Sequence, residues 1–419
     1  MSVMNALYAG VSGMLAEGEA LGIVGDNVAN ANTVGFKQSR AVFQDVLGGA
    51  MGAGVRISRA QQIFAQGTMF NTGQPTDLAL SGDGFFVVSG NVDGATGNYY
   101  TRAGQTTLSE SGQLVNADGM SVQGYVADGK GGFGSSLGPI QVSTASLQPK
   151  ATGGIKLTAN FDANAPVAAA WDPANPEGTS NFSTSTRVFD SLGKAHNVDV
   201  FFRKTAAGAW EYKVMGNGAE LAGNPPGKVE LGTGTLTFTN SGALQATAGA
   251  VQADFDGAAP AQAISFDFGK TIANGGSGLD GSTQFGAPSN VSAQSQDGYS
   301  SGDLSGIRID GEGVVSGVYS NGEQIAVGKL AVAKFRSNDG LARAGKNLWQ
   351  ATRESGEAAL GAAGAGGRAG ITAGALEQSN VDIATQFVDL ITHQRAFQAN
   401  SKSITTANEM LEEIVNLKR

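Results

Sequence analysis

Cysteine is absent from the 419-residue chain, which removes disulfides, thiolate metal sites and cysteine nucleophiles together. The absence does not define a redox compartment, because a chain threaded unfolded through a narrow export channel also gains from having no cross-links. Charge is scarce too: Asp, Glu, Lys and Arg make up 15% of residues, against about 25% in ordinary globular chains. The 27 basic and 36 acidic side chains leave a formal net charge of −9, which argues against nucleic acid or an anionic membrane as partner. No apolar run approaches the roughly 20 residues that span a bilayer, so no membrane insertion is expected. The first basic residue is Lys37. Met1–Ala6 therefore offers no basic n-region, and a cleaved Sec-type signal peptide is not expected.

Glycine is what the chain has in excess: 63 residues, about twice ordinary usage. It follows no G-X-Y period, so a collagen helix is excluded. A hydrophobic fraction of 41% is enough for two or three packed domains.

Both ends carry seven-residue apolar stripes. Near the N-terminus Leu7, Met14, Leu21 and Val28 form one row, and Met4, Val11, Gly18 and Gly25 a second. Near the C-terminus Ile383, Leu390, Phe397, Ile404 and Leu411 recur at the same interval, beside Phe387, Gln394, Ser401, Asn408 and Val415. A period nearer 3.5 than 3.6 predicts amphipathic helices of coiled-coil type at residues 1–30 and 378–419. Ser379 or Asn380 is the expected N-cap of the second. Gly18 and Gly25 on the seam suggest close backbone approach, since glycine costs about 1 kcal/mol in a helix interior.

Between the ends the pattern is β. Alternation marks Trp210–Val214, Val198 to Phe202 and Ile264 to Phe268, and recurs at Leu236 and Phe238. Asp-Gly and Asn-Gly pairs at 83, 118, 128, 297, 310, 321 and 339 punctuate it as hairpin turns. The expected fold class is mainly β with terminal α-helices: two β-rich domains, one inserted in the other, plus a helical coiled-coil domain. The expected boundaries are a glycine-rich connector at 31–72 and 355–377, a β-rich middle domain at 73–144 and 289–354, and an inserted outer β-domain at 145–288. Gly48, Gly49, Gly52 and Gly54, with the run Gly361–Gly370, read as flexible connections and the first four as a hinge.

Chemical motifs do not accumulate. Gly129–Gly134 fits G-x-G-x-x-G, but no helical pattern follows to receive a pyrophosphate. Gly275–Asp280 is a single degenerate copy of a calcium nonapeptide. The two histidines, His196 and His393, have no metal-ligand spacing. No catalytic residue, metal or cofactor is expected, although a paired-carboxylate site leaves no trace in spacing.

Four segments carry a resemblance. Ala29–Lys37 (ANANTVGFK), Asp77–Val88 with Tyr100–Gly104, Tyr319–Gly322, and Ser379–Asp382 with Gln394–Lys402 closely resemble, in order, the signatures of bacterial flagellar rod and hook axial proteins. The resemblance covers about 1–140 and 290–419. It implies a structural subunit, not an enzyme, that polymerises with copies of itself. It also implies type III export and neighbours in the distal rod, the hook cap and the hook–filament junction, outside the cell. The inserted segment and the terminal Asn416–Arg419 point to the hook branch, a curved tube acting as a universal joint and export conduit. The shorter distal-rod relatives are the alternative, and an extracellular β-rich adhesin or enzyme a more distant one. On this reading Leu7, Val11, Met14, Leu21, Val28, Ile383, Phe387, Leu390, Phe397, Ile404 and Leu411 pack the inner tube wall. Asn27, Asn30, Asn32, Gly35, Phe36 and Lys37 then form the turn out of the first helix.

Overall fold

The computed structural model describes residues 3–48, 51–129 and 131–416. It is mainly β, with one long helix near each end: α1 (Val3–Ala29) and α2 (Ile383–Asn416). The chain divides into two compact units, 1–144 with 305–318 and 324–419, and 145–304 with 319–323.

In the first unit α1 runs into a long antiparallel hairpin of β1 (Ser39–Gly48) and β2 (Met51–Gln62). A short strand β3 (Met69–Asn71) follows and pairs with Ala375–Glu377. The body is a sheet in which Gln324–Lys334, Ser121–Ala127, Phe85–Val92 and Ala95–Thr101 lie side by side. Phe85, Phe86, Val87 and Val88 are all buried, the signature of a strand covered on both faces. Phe335 meets Tyr100 edge-on at 4.7 Å and Phe85 at 5.9 Å between ring centroids, which fixes the centre of this core.

The second unit is an eight-stranded sheet. Its order is Phe182–Phe189, Ala195–Ala206, Ala209–Asn217, Lys228–Phe238, Leu244–Ala253, Gln262–Asp267, Gly154–Asn160 and Asn290–Gln296. Gly154–Asn160 runs parallel to Gln262–Asp267, and the other neighbours are antiparallel. The alternation seen in the sequence is the burial pattern here. Trp210, Tyr212 and Val214 enter the core, while Glu211 and Lys213 face outward in a network with Arg203 and Glu230. Gly234 stands opposite Gly249 on the neighbouring strand. Neither carries a side chain, and the Tyr212 ring fills the space where their Cβ atoms would be.

Several expectations need correction. The inserted unit extends to residue 304, beyond the expected end at 288, because Asn290–Gln296 pairs with Gly154–Asn160. The expected loose connector at 31–72 is largely the β1–β2 hairpin. Gly48 ends β1, Gly52 and Gly54 lie in β2, and Gly49 lies outside the described residues. Gly54 has φ 120°, and a methyl group there would overlap Ser12 Oγ. Of the four expected hinge glycines, Gly54 is thus a packed position. The second expected connector, 355–377, is also structured: Ala359–Ala362 pairs with Gln324–Lys334, and Gly370–Ala373 with Leu78–Ser81. Arg368 ties the glycine-rich arch between them, donating to the carbonyls of Ala359, Leu360 and Ala365 at 2.9–3.0 Å. In both places short side chains allow chain segments to pack closely, a use of glycine that composition does not separate from flexibility.

Burial pushes the Tyr212 hydroxyl up to about 12. Unfolded tyrosine loses its proton near pH 10, so the stability linked to the neutral phenol is complete below about pH 10 and is lost as pH rises toward 12. Tyr212→Phe should flatten the fall in thermal midpoint between pH 10 and 12, as followed by calorimetry. An unchanged alkaline slope would contradict this reading of the core.

Candidate functional site: the terminal helix pair and its junction

The two helices run antiparallel. Position 10 of α1 lies against Ile404, 13 against Asn400, 17 against His393 and 27 against Gln386. Their seam differs from the one the sequence predicts. On α1 it is Gly10, Gly13, Glu17, Ala20, Val24 and Asn27, a 3-4-3-4-3 spacing of small and polar residues. On α2 Leu390, Phe397, Ile404 and Leu411 do lie half-buried, but they alternate with Gln386, His393, Asn400 and Ala407. The expected partner row of Phe387, Gln394, Ser401 and Asn408 is exposed, and Ile383 is 44% exposed. Leu7, Val11, Met14, Leu21 and Val28 flank the seam half-buried, while Gly18 and Gly25 are exposed with open space beside them.

The close approach falls at Gly13, where a Cβ would lie 2.7 Å from Asn400 Nδ2. Polar pairs set the register. Asn27 Nδ2 donates to Gln386 Oε1 at 2.8 Å in a buried site. His393 Nδ1 and Glu17 Oε2 are 2.6 Å apart, and the His393 ring stacks on Phe43 of β1 at 6.0 Å.

Below the helices the chain turns through a dense polar junction. Asn27 clamps Ser39, accepting from its amide at 2.8 Å and donating to its carbonyl at 2.7 Å. Asn30 donates to Asp26 and accepts from the Thr33 hydroxyl; Asn32 is exposed. Gly35 sits at φ 69°, where a Cβ would come within 2.6 Å of the Arg102–Ala103 peptide, so only glycine fits. Phe36 is buried under the Arg343 guanidinium, 5.6 Å away.

Lys37 ends the turn in an ion cluster closed to water. Its Nζ donates to Glu377 Oε1 at 2.5 Å and to the Ala65 carbonyl at 2.8 Å. Arg102 donates to Glu377 Oε2 at 3.3 Å and to the Gly82 carbonyl at 2.7 Å. Glu377 also accepts from the Gly67 amide through its side chain and from the Gly35 amide through its carbonyl. The Lys37 and Glu377 side chains are 0% exposed and Arg102 is 2% exposed. Burial, the larger effect, pulls Lys37 below the ordinary lysine range against the opposing pull of Glu377. The same balance lowers Arg102. One carboxylate thus serves two cations, and with them the segment after α1, the loop after Ala95–Thr101 and the strand before α2.

Asn380, an expected cap, instead bridges the residue before β1 and the segment after β2. It accepts from the Gln38 amide and donates to the Ile63 and Ala65 carbonyls. The helix is capped by Asp382, which accepts from the Ala384 amide at 3.0 Å and the Thr385 hydroxyl at 2.8 Å. Those bonds hold its carboxyl below the usual range.

Four family profiles match in chain order. Residues 7–37 match the flagella basal body rod protein, and 79–158 the flagellar hook protein FlgE/F/G D1 domain. Residues 157–299 match the flagellar basal body protein FlaE D2 domain, and 372–417 the flagellar basal body rod FlgEFG protein C-terminal. The flagellar hook protein FlgE of Salmonella typhimurium is 34% identical over 415 residues, spanning 97% of this chain and 98% of its own. That of Treponema pallidum is 32% identical over 472 residues, spanning both chains completely. The chain belongs to the flagellar hook protein family. A solved structure, the hook protein FlgE2 of Helicobacter pylori, has a similar fold. Its TM-score is 0.51 at 15% identity, and it covers 72% of this chain and 98% of its own.

The stretch Ala29–Lys37, inside the rod-protein match, is the turn that leads from α1 into the ion cluster. Sequence reasoning names its N-terminal half, from Asn27 to Lys37, and misses Glu377, which precedes the quoted Ser379–Asp382. A lone buried-bound lysine at the end of a motif implies a distant carboxylate, and that is the signal that points to it. Glu377→Gln should destabilise the chain by about 3–5 kcal/mol, because it strands two buried cations. Lys37→Met should cost only about 1–2 kcal/mol, since it leaves a balanced Arg102–Glu377 pair. Urea unfolding of both variants checks the order, and a Lys37 variant that is the weaker one would contradict it.

Proposed function

We propose that the chain builds a curved, flexible tube, with α1 and α2 as its inner wall, that transmits torque from rod to filament and conducts exported subunits. Membership of the hook family gives a structural subunit of the flagellar hook; the tube and its mechanics are our inference. The observation that supports it most is which faces the helix pair leaves open. Large apolar side chains remain on the outside: Met4, Tyr8 and Leu15 on one face of α1, and Ile383, Phe387, Val388 and Ile391 on α2. Tyr8, Leu15 and Val388 are 60%, 63% and 62% exposed. A helix pair that leaves this many large apolar side chains outside needs further copies of itself to bury them. The sequence-predicted rows Leu7, Met14, Leu21 and Val28, half-buried beside the seam, extend the same surface. As neighbours we infer the distal rod, the hook cap and the hook–filament junction protein. Delivery to the cell exterior is by the type III export apparatus.

The full chain under polymerising conditions should give curved tubes by electron microscopy. The Phe387→Ser, Val388→Ser variant should stay monomeric with unchanged thermal unfolding, because both side chains are exposed in the monomer. Tubes of wild-type yield from the variant would contradict the proposal, and straight tubes from the wild type would favour the rod.

A further inference from the structure

His196 sits near the start of Ala195–Ala206 in the second unit, with its side chain 1% exposed. Its ring lies flat against Phe255, with centroids 4.0 Å apart and planes inclined by 12°. Its Nε2 is 3.1 Å from Asp190 Oδ2, and its Nδ1 is 2.6 Å from Glu220 Oε2. Both neighbours are carboxylates, which only accept when ionised. A neutral imidazole has one N–H and can serve one of them, leaving a bare nitrogen against an oxygen on the other side. Only the imidazolium donates to both.

The two acids are not free to turn away. Asp190 Oδ1 accepts from the amides of Leu192 and Lys194, both at 2.9 Å, and so closes the turn before Ala195. Burial alone would raise Asp190, but the bonds from His196 and these amides hold it below the usual carboxylate range. Glu220 ends the short 3-10 turn Gly218–Glu220. On the third side Asp254 and Asp256 flank Phe255 with exposed side chains. The Asp254 carbonyl accepts from the Ala222 amide at 2.8 Å, and the Asp256 amide donates to the Glu220 carbonyl at 3.0 Å. Lys194 is exposed beyond the turn, and Ser191 Oγ accepts from the Ala259 amide at 2.8 Å. Three connections therefore meet on one ring: 190–194, 218–222 and 254–259.

We propose that His196 is a proton-held staple: as the imidazolium it bonds Asp190 and Glu220 together and closes these three connections, and release of its proton to solvent opens them. The closing effect needs the imidazolium together with both ionised carboxylates, and it is lost when the ring gives up its proton. The unit thus has a tight and a loose form at one end of its sheet, selected by ambient pH. The loop that loosens carries Leu192 at its tip, 67% exposed.

The chain has only two histidines, so 15N-histidine spectra of the full chain can be assigned by the signal that His196→Gln removes. At pH 6 that signal should show both ring nitrogens protonated; a neutral tautomer in the folded chain would overturn the proposal. Amide hydrogen exchange, corrected for its intrinsic pH dependence, gives the second readout. Protection at 192, 194, 222, 256 and 259 should fall about tenfold between pH 5.5 and 8, the size of one charge-assisted hydrogen bond. Equal protection at both pH values, or the same step surviving in His196→Gln, would sink the idea. Glu220→Gln, at the most exposed of the three groups, keeps the packing and removes one charge. It should move the step to lower pH, and an unmoved step would count equally against the staple.

Discussion

One buried carboxylate holds the first unit together. Glu377 pairs with both Lys37 and Arg102 in one buried ion cluster, and each member comes from a different part of the chain. Taking three charges out of water is expensive, and the cost is offset to the extent that their oxygens and hydrogens find partners. Here the Gly67 amide and the Ala65 and Gly82 carbonyls supply further bonds, and Arg102 Nε is left without one. The cluster therefore specifies one geometry: the turn after α1, the strand before α2 and the edge of the β body must all be present before any is stable. Lys37 and Glu377 lie 340 residues apart in the chain, and this constraint joins their segments at one fixed point. The segments next to both helices thus meet the β body through a buried polar contact.

The same logic explains the inverted helix pair. Intramolecular helix pairs ordinarily bury apolar rows on both helices, and here α1 gives mainly small and polar residues to the seam while α2 alternates Leu390, Phe397, Ile404 and Leu411 with Gln386, His393, Asn400 and Ala407. Asn27–Gln386 and Glu17–His393 supply register at a cost in stability. Tyr8, Leu15, Phe387 and Val388 stay exposed on the outer faces of the pair. A subunit that must travel alone and then polymerise benefits from this division, because its own pairing does not consume the surfaces that neighbours need.

Much of the β architecture is legible in the sequence because burial in an antiparallel sheet is written directly as alternation. Trp210, Tyr212 and Val214 are the clearest case. The existence of both helices is legible for the same reason, their seven-residue rows. Which row faces which partner is not, because Leu7–Val28 and the true seam differ by a rotation that preserves the period. A hydrophobic row predicts contact with something and does not name it. Glycine misled in a related way: Gly54 against Ser12, and Gly35 against the Arg102–Ala103 peptide, are tight packing sites. Composition reads such positions as looseness, since flexibility and close approach call for the same missing Cβ. Glu377 stayed hidden because its partners are remote in sequence and no local pattern accompanies it.

If the ion cluster is the joint on which the first unit depends, the segments it links should open together. Native-state hydrogen exchange of the full chain measures this directly. The amides of Gly35, Gly67 and Gln378 should share one opening free energy and one denaturant dependence, since all three bond within the cluster or beside it. Exchange at Gln378 that follows the fraying of α2, independently of Gly35 and Gly67, would show that each end is held separately and would contradict the account.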